Sequence, residues 1–441
     1  MARIALLIVG HRDYQNDIGE RMAAACAGRL RESGVEVDPM PGAAVDPLVA
    51  GAAAREALKR EPDGVILFLG TWIECPTALG AIREFEHLPF AIWAFPMFQH
   101  EGRRESTGSF VAWAVLKGAL DRMAYRYEWI IGLPEDDAAV AKAAAFARAA
   151  HAFERLKRTR IGLVGYAAMG MYPGTFDHVL LRRIIGPEVE HIDTFSLVNL
   201  AERFTREERG PVIAELRGQC EIADDVTDAQ LQTVAGMALA LRQLVTDRHL
   251  DAMNVKCQYE LSQEYGMVAC VPMSLLAEWG VVSACEGDAV ITATMCILHY
   301  LTGQVVYYGD ILDLRGDQML ISSCGLAPFS LAADPSARRI CQLGHPGFEG
   351  VISSFVLQPG TVTFARLAEG RGDYRLNFGL GTGVETELRQ GRFPGLEVRI
   401  EGSVQKLLDT MASQHFALCY GDVRAELHDL CRILGIEAVE I

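Results

Sequence analysis

The sequence predicts a three-part α/β protein: two doubly wound parallel-sheet domains followed by a β-rich, barrel-like domain. Three observations carry this. Short apolar, β-rich runs alternate with helical patterns through residues 1–156. The alternation restarts after KRTRIGLVGYA, placing a boundary near Lys157, and runs to about residue 318. Beyond Asp317 helical patterns nearly vanish and strand-like segments separated by Gly and Pro turns take over. A chain of 441 residues is too long for one ordinary core, so domains at 1–156, 157–318 and 319–441 are expected.

In the first domain strands are predicted at 3–9, 35–39, 64–69, 90–94 and 129–132, with helices at 17–33, 49–59, 77–85 and 108–124. The loops that follow these strands carry His11-Arg12-Asp13, Gly70-Thr71-Trp72 and the stretch 96–108. Loops at the carboxyl ends of parallel strands are where open α/β sheets bind ligands. A loop Trp such as Trp72 either stacks on a sugar or packs an interface, and packing is the commoner use. The most apolar window, 64–82, approaches membrane-spanning length, but Gly70, Glu74, Pro76 and Gly80 break it into strand, loop and helix.

An Ala-rich helix at 136–156 leads into the second domain, with strands predicted at 161–166, 190–195, 252–256, 268–270, 281–285 and 304–308. The glycine-containing loop at 165–174 is neither GxGxxG nor a Walker motif, so nucleotide binding has little support. Lys256, in an apolar strand, either contacts substrate or snorkels. The most informative stretch is 281–324. Two apolar runs there each end in an acid, Glu286 and Asp310, and the intervening segment reads as a helix with Asp288 as N-cap and Gly303 as stop. Strand, helix and strand at this length predict a βαβ unit with parallel strands. If the strands are neighbours they lie about 4.8 Å apart, and both carboxylates reach one divalent cation. Spacing alone leaves three readings open: an acid/base pair, a metal site, or a solvated sheet edge.

The third domain is predicted to hold strands at 319–322, 354–357, 362–367, 374–378 and 396–400, with helices at 403–413 and 423–434. His415, in SQHFALCYGDVRAEL, precedes an apolar run, a position where a lone His is more often structural than a ligand. His345 lies in the turn-rich GHPGFEG, with Glu349 near it. A net charge of −16 argues against nucleic-acid partners and anionic membrane surfaces. Eleven Cys without CxxC or zinc-ligand spacing fit reduced thiols, hence a cytoplasmic location. The opening apolar run at 4–9 reads as a first strand rather than a signal peptide.

CEGD followed by a helix, YLTG, YYGD and finally SQHFALCYGDVRAEL resembles the L-fucose isomerase family, whose fold the L-arabinose isomerases share. The resemblance covers most of the chain, weakly through residues 1–250 and strongly from Lys256 onward. It implies two Rossmann-like domains and a C-terminal β-rich domain assembled as homotrimers or homohexamers. It implies one divalent cation, usually Mn²⁺ with Mg²⁺ or Co²⁺ as substitutes, held by Glu286, Asp310 and His415. The two carboxylates also serve proton transfer, and a neighbouring subunit's first domain closes the site, with Arg12 and Trp72 matching loop positions that reach the sugar.

The chemistry suits these residue types. Aldose–ketose interconversion moves a proton between C1 and C2 through a cis-enediol, and a hard cation stabilises the charge developing on O1 and O2. The sequence departs from the family in being shorter and in carrying Ser322-Ser323-Cys324-Gly325 where many relatives have a His before Cys-Gly. Substrate identity therefore stays open among a pentose, a 6-deoxyhexose and a hexose with an anionic C6 group. Arg12, Lys256 and His345 are the candidate acceptors of such an anion. A metal-dependent sugar lyase or aldolase and a non-catalytic sugar-binding protein are the alternatives.

Overall fold

The computed structural model describes residues 1–39 and 42–441. They fall into two compact units. Met1–Arg155 with Ala425–Gly435 form the first, and Leu156–Arg424 with Ile436–Ile441 form the second. The architecture is mixed α/β, with two parallel sheets, a short mixed sheet and a large mixed barrel sheet.

The first unit is built on a five-stranded parallel sheet in the order Glu36–Pro39, Arg3–Val9, Gly64–Leu69, Phe90–Ala94, Glu128–Ile131. Its strands are apolar at successive positions because both faces are covered. Ile4, Leu6 and Ile8 face one core, filled by helices Asn16–Glu32 and Asp137–Arg158. Ala5, Leu7 and Val9 face the other, filled by Pro47–Leu58, Cys75–Phe85 and Ser109–Arg122. Two helices of that second layer meet at glycines. A Cβ on Gly80 would lie 2.4 Å from the Pro47 carbonyl oxygen, and one on Gly51 would lie 2.9 Å from the Gly80 carbonyl.

In the second unit a four-stranded parallel sheet has the order Val282–Cys285, Ala252–Val255, Arg160–Val164, Glu188–Ile192. Helix Ala289–Thr302 follows the first of these, capped by the Asp288 side chain and stopped by left-handed Gly303, as the sequence predicts. What comes next does not match. The expected second strand of a βαβ unit is instead Tyr307–Arg315, which leaves the parallel sheet and pairs antiparallel with Gln318–Ser322 and His415–Tyr420. The cause is local. Arg315 and Gln318 are joined by Gly316-Asp317, with Gly316 at φ 62°, a two-residue hairpin that forces an antiparallel neighbour.

Six strands close into a barrel in the order Gly360–Glu369, His415–Tyr420, Tyr307–Arg315, Gln318–Ser322, Gly395–Glu401, Tyr374–Val384, the last pairing back onto the first. The β-rich texture expected after residue 318 thus begins one strand earlier, at Tyr307. Two further strand expectations shift. Residues 268–270 form no strand, because Cys270 opens helix Cys270–Glu278, and the strand expected at 354–357 runs Val351–Ser354. Among the described residues no helix is long and apolar enough to cross a membrane. No disulfide joins the eleven cysteines; all are free, and only Cys75 and Cys324 are more than marginally exposed.

The glycine crossing in the first unit gives a direct check on this packing. Gly80→Ala pushes a methyl into the Pro47 backbone and is expected to destabilise the protein by about 1–3 kcal/mol, the usual cost of overpacking. Chemical denaturation read against wild type measures it. An unchanged midpoint would show that the helices are further apart than described.

Candidate active site

Glu286 leaves the carboxyl end of strand Val282–Cys285 in a left-handed conformation, φ 67°, followed by Gly287 at φ 73°. A non-glycine residue there is strained by roughly 1–2 kcal/mol, so neighbouring contacts must hold it. The Glu286 N–H donates to the Val255 carbonyl at 3.2 Å, and its own carbonyl accepts from Ala168 N–H at 2.8 Å. Asn254, fully buried on the adjacent strand, clamps the turn from below. Its Oδ1 accepts from Gly287 N–H at 2.8 Å, and its Nδ2 donates to the Asp288 carbonyl and to Thr292 Oγ1. Gly287 itself admits no side chain, since a Cβ would lie 1.9 Å from the Tyr166 carbonyl oxygen.

Asp310 and His415 come from the barrel, where they are direct cross-strand partners on the antiparallel strands Tyr307–Arg315 and His415–Tyr420. Partners in such a ladder point to the same face. Their side chains meet Glu286 there. His415 Nε2 lies 3.3 Å from Glu286 Oε2 and 3.4 Å from Asp310 Oδ1. Ligand atoms from all three residues fall within 4.8 Å of one another.

The other ring nitrogen is already engaged. His415 Nδ1 donates to Asp288 Oδ2 at 2.8 Å. The same carboxylate accepts from Arg366 Nη1 at 2.7 Å, while its Oδ1 accepts from Ile291 N–H at the helix N-terminus. Arg366, 1% exposed, spends its other terminal nitrogen on the Pro173 carbonyl. Asp288 therefore orients the imidazole so that Nε2 points at the two acids, as the carboxylate partner of a metal-ligating His does.

Charge states follow from these contacts. Burial would raise the Asp288 carboxyl, but Arg366 and His415 outweigh it and hold the group well below the usual carboxylate range. Burial pushes Glu286 up to about 7, opposed by His415. Burial also raises Asp310, against the attraction of His415. For His415 burial lowers the pKa, yet hydrogen bonds and charge from Asp288 and Glu286 carry it to about 10.

Glu286 and Asp310 open onto a cavity of about 370 Å³. Met169, Met171, Phe348 and Phe393 give it apolar walls, and Gln258, Gln390 and Gln414 add neutral polar groups. His345, exposed in its loop and 5.0 Å edge-on from Phe348, is the one basic side chain among the described residues that line it. Lys256 does not line it. It is 1% exposed, with its ammonium on Glu260 and 3.2 Å from the Tyr166 hydroxyl. Arg12 and Trp72 lie in the first unit, on adjoining loops linked by the His11 N–H donating to Thr71 Oγ1 at 3.0 Å. Arg12 is exposed and Trp72 half-buried.

Sequence reasoning reads Asp288 only as a cap and passes over Asn254 and Arg366. The signals are an Asn in the buried AMNV strand and a lone Arg inside the apolar run TVTFARLAE.

No protein-family model matches the sequence. The chain is similar to the sulfoquinovose isomerase of Alkalicoccus urumqiensis, 24% identical over 388 residues that cover 86% of each protein. It is likewise similar to those of Clostridium sp. (strain MSTE9), 26% identical over 82% of this chain and 80% of that protein, and of Priestia aryabhattai, 24% over 81% and 80%. A periplasmic solute-binding protein from Actinobacillus succinogenes aligns with 69% of this chain and 93% of its own at 10% identity, but a TM-score of 0.18 carries no argument. Similarity along four-fifths of several isomerases makes this chain an enzyme, an aldose–ketose sugar isomerase.

The orienting carboxylate gives a test specific to this geometry. Asp288→Asn keeps the shape but loses the charge behind His415 and beside buried Arg366, so it is expected to cost about 3–5 kcal/mol of stability, and in the protein that remains folded divalent-metal affinity is expected to fall about 10–100-fold. Arg366→Met strands the Asp288 charge in the interior and is expected to cost about 3–5 kcal/mol in thermal or urea unfolding. Wild-type metal affinity in the first variant would remove Asp288 from its orienting role.

Proposed function

We propose that the protein is a divalent-metal-dependent aldose–ketose isomerase of the L-fucose isomerase type, acting on an open-chain hexose with an anionic group at C6. The observation that carries the reading is the convergence of Glu286, Asp310 and His415 Nε2 at one edge of the cavity. Two carboxylates and an imidazole whose Nε2 faces them suit a hard cation such as Mn²⁺, with Mg²⁺ or Co²⁺ as substitutes. Bound there, the cation supplies charge stabilisation to the sugar oxygens as they become enediolate-like.

The protein's own groups do the rest. Glu286 and Asp310 stand on one side of the cavity, and each can take a proton from a sugar carbon or return it to the neighbouring carbon. Burial raises the proton affinity of Glu286 above that of an exposed carboxylate, which favours its taking a proton from carbon. Met169, Met171 and Phe393 set apolar surface beside these groups. His415, locked by Asp288, holds both carboxylates in register.

The relatives support a sulfonated sugar, since they are named for sulfoquinovose. Within the second unit His345, which lines the cavity, is proposed to meet such an anion, whereas Lys256 does not line it and is paired with Glu260. Arg12 and Trp72 are proposed to reach the sugar from the first unit of a neighbouring subunit in a homotrimer or homohexamer. A lyase on the same residues is the second reading, because an enediolate is common to both reactions.

Glu286→Gln and Asp310→Asn are each expected to lower turnover about 10²–10⁴-fold with folding intact. Retained turnover in both would overturn the assignment. A panel of sulfoquinovose, neutral aldohexoses, 6-deoxyhexoses and pentoses should yield ketose of unchanged carbon number only when metal is present, fastest with the sulfonated sugar. Shorter products would select the lyase. His345→Ala should raise KM for the sulfonated sugar more than it lowers kcat.

Metal affinity should rise with pH. The cation competes with the His415 proton, which the ion-free protein keeps until about pH 10. One proton is therefore released per ion, and affinity should climb about tenfold per pH unit above neutrality. Below about 7, where Glu286 is protonated too, the dependence should steepen. Titrations in weakly buffered solution measure both, and a pH-independent affinity would contradict the ligand set.

A further inference from the structure

Glu286 has two oxygens with different neighbours. Oε2 faces His415 Nε2, whereas Oε1 faces the Cys324 thiol at 3.6 Å. Ligand atoms of Cys285, Glu286 and Cys324 also lie within 4.8 Å of one another, a second cluster distinct from the carboxylate–imidazole one. Cys324 and Glu286 open onto the cavity, so an ion arriving there has a route in. Cys257 and Cys270, both buried, line the same cavity.

We propose that Cys285, Cys324 and Glu286 form a second metal site, selective for soft cations such as Zn²⁺ and Cd²⁺, that shares Glu286 with the isomerase centre and makes these ions inhibitors. Geometry favours it. A tetrahedral cation with sulfur at about 2.3 Å and a carboxylate oxygen at about 2.1 Å holds those two ligands about 3.6 Å apart. That is the spacing found between Cys324 Sγ and Glu286 Oε1. Ligand type favours it too, since thiolates select soft ions and carboxylate–imidazole sets do not discriminate against Mn²⁺. Coordination forms two metal–sulfur bonds and one metal–oxygen bond and releases one proton from each thiol to solvent, with no change of oxidation state. Cys285 must surrender its contact with the Tyr308 hydroxyl, 2.6 Å away. An ion there takes up the Glu286 negative charge that the isomerase centre needs. The inhibition rests on the catalytic reading of Glu286; the binding does not.

Cd²⁺ titration of the full-length protein, followed by the ultraviolet thiolate-to-metal charge-transfer band, tests the site apart from activity. About one equivalent is expected to develop the band in wild type and in Asp310→Asn, and none in Cys324→Ser or Cys285→Ser. A band that survives in both Cys variants, or never forms in wild type, overturns the proposal. Should a Cys variant fail to fold, X-ray absorption on Zn²⁺-loaded wild type decides. Sulfur scatterers at about 2.3 Å are expected, and a shell of oxygen and nitrogen alone at about 2.0–2.1 Å overturns it. Inhibition is scored against each variant's own metal-activated rate. Cd²⁺ should inhibit wild type at least about tenfold more tightly than Cys324→Ser. If the band behaves as expected and inhibition does not, the soft site stands and the catalytic role of Glu286 fails.

Discussion

One buried carboxylate, Asp288, ties together three parts of the second unit. It caps the helix that follows the Glu286 turn, pairs with Arg366 from the barrel, and fixes the His415 ring. All three side chains are essentially without solvent. A lone charge in that position would be prohibitive. The arrangement is tolerated because every Asp288 oxygen has a donor and the positive charge of Arg366 is permanent. Through these contacts the parallel sheet that carries Glu286 and the barrel that carries Asp310 and His415 hold one constellation rather than two separate edges.

The left-handed turn at Glu286-Gly287 is the second constraint, and it explains why the site stands where two kinds of sheet meet. A strand ending in ordinary conformation would aim Glu286 elsewhere. Here Asn254 takes up the backbone groups that the turn frees, and Gly287 passes beneath Tyr166 with no room for a side chain. Strain of this kind persists where surrounding contacts over-determine it. The acid that results has one oxygen toward an imidazole and one toward a thiol, which is why its environment can be read in two ways chemically.

Much of this was legible in the residues. Alternating apolar runs and helical patterns give the doubly wound first sheet, and Asp288 and Gly303 bracket their helix as capping rules require. Glu286 and Asp310 announced themselves as acids ending apolar strands. Their topology did not. The apolar run at 304–308 predicts a strand, which forms instead at Tyr307–Arg315, but periodicity does not say which neighbour it takes, and the two-residue Gly316-Asp317 turn, which decides the matter, weighs little beside the pattern of the preceding helix. His415 has no local signal at all. Its place opposite Asp310 is a register set by the whole barrel, across more than a hundred residues of sequence. The run at 268–270 is too short for periodicity to separate strand from buried helix, and the helix won. Arg366 and Asn254 look like misplaced polar residues in apolar strands until their partner, Asp288, is seen.

The central claim is that Glu286, Asp310 and His415 hold one catalytic cation. It is tested most directly by diffraction from Mn²⁺-loaded crystals on either side of the manganese absorption edge. The account predicts a single anomalous peak bonded to both carboxylates and to His415 Nε2, with His415 Nδ1 still on Asp288. A peak on other ligands, or none in crystals of enzyme whose turnover needs Mn²⁺, would contradict it.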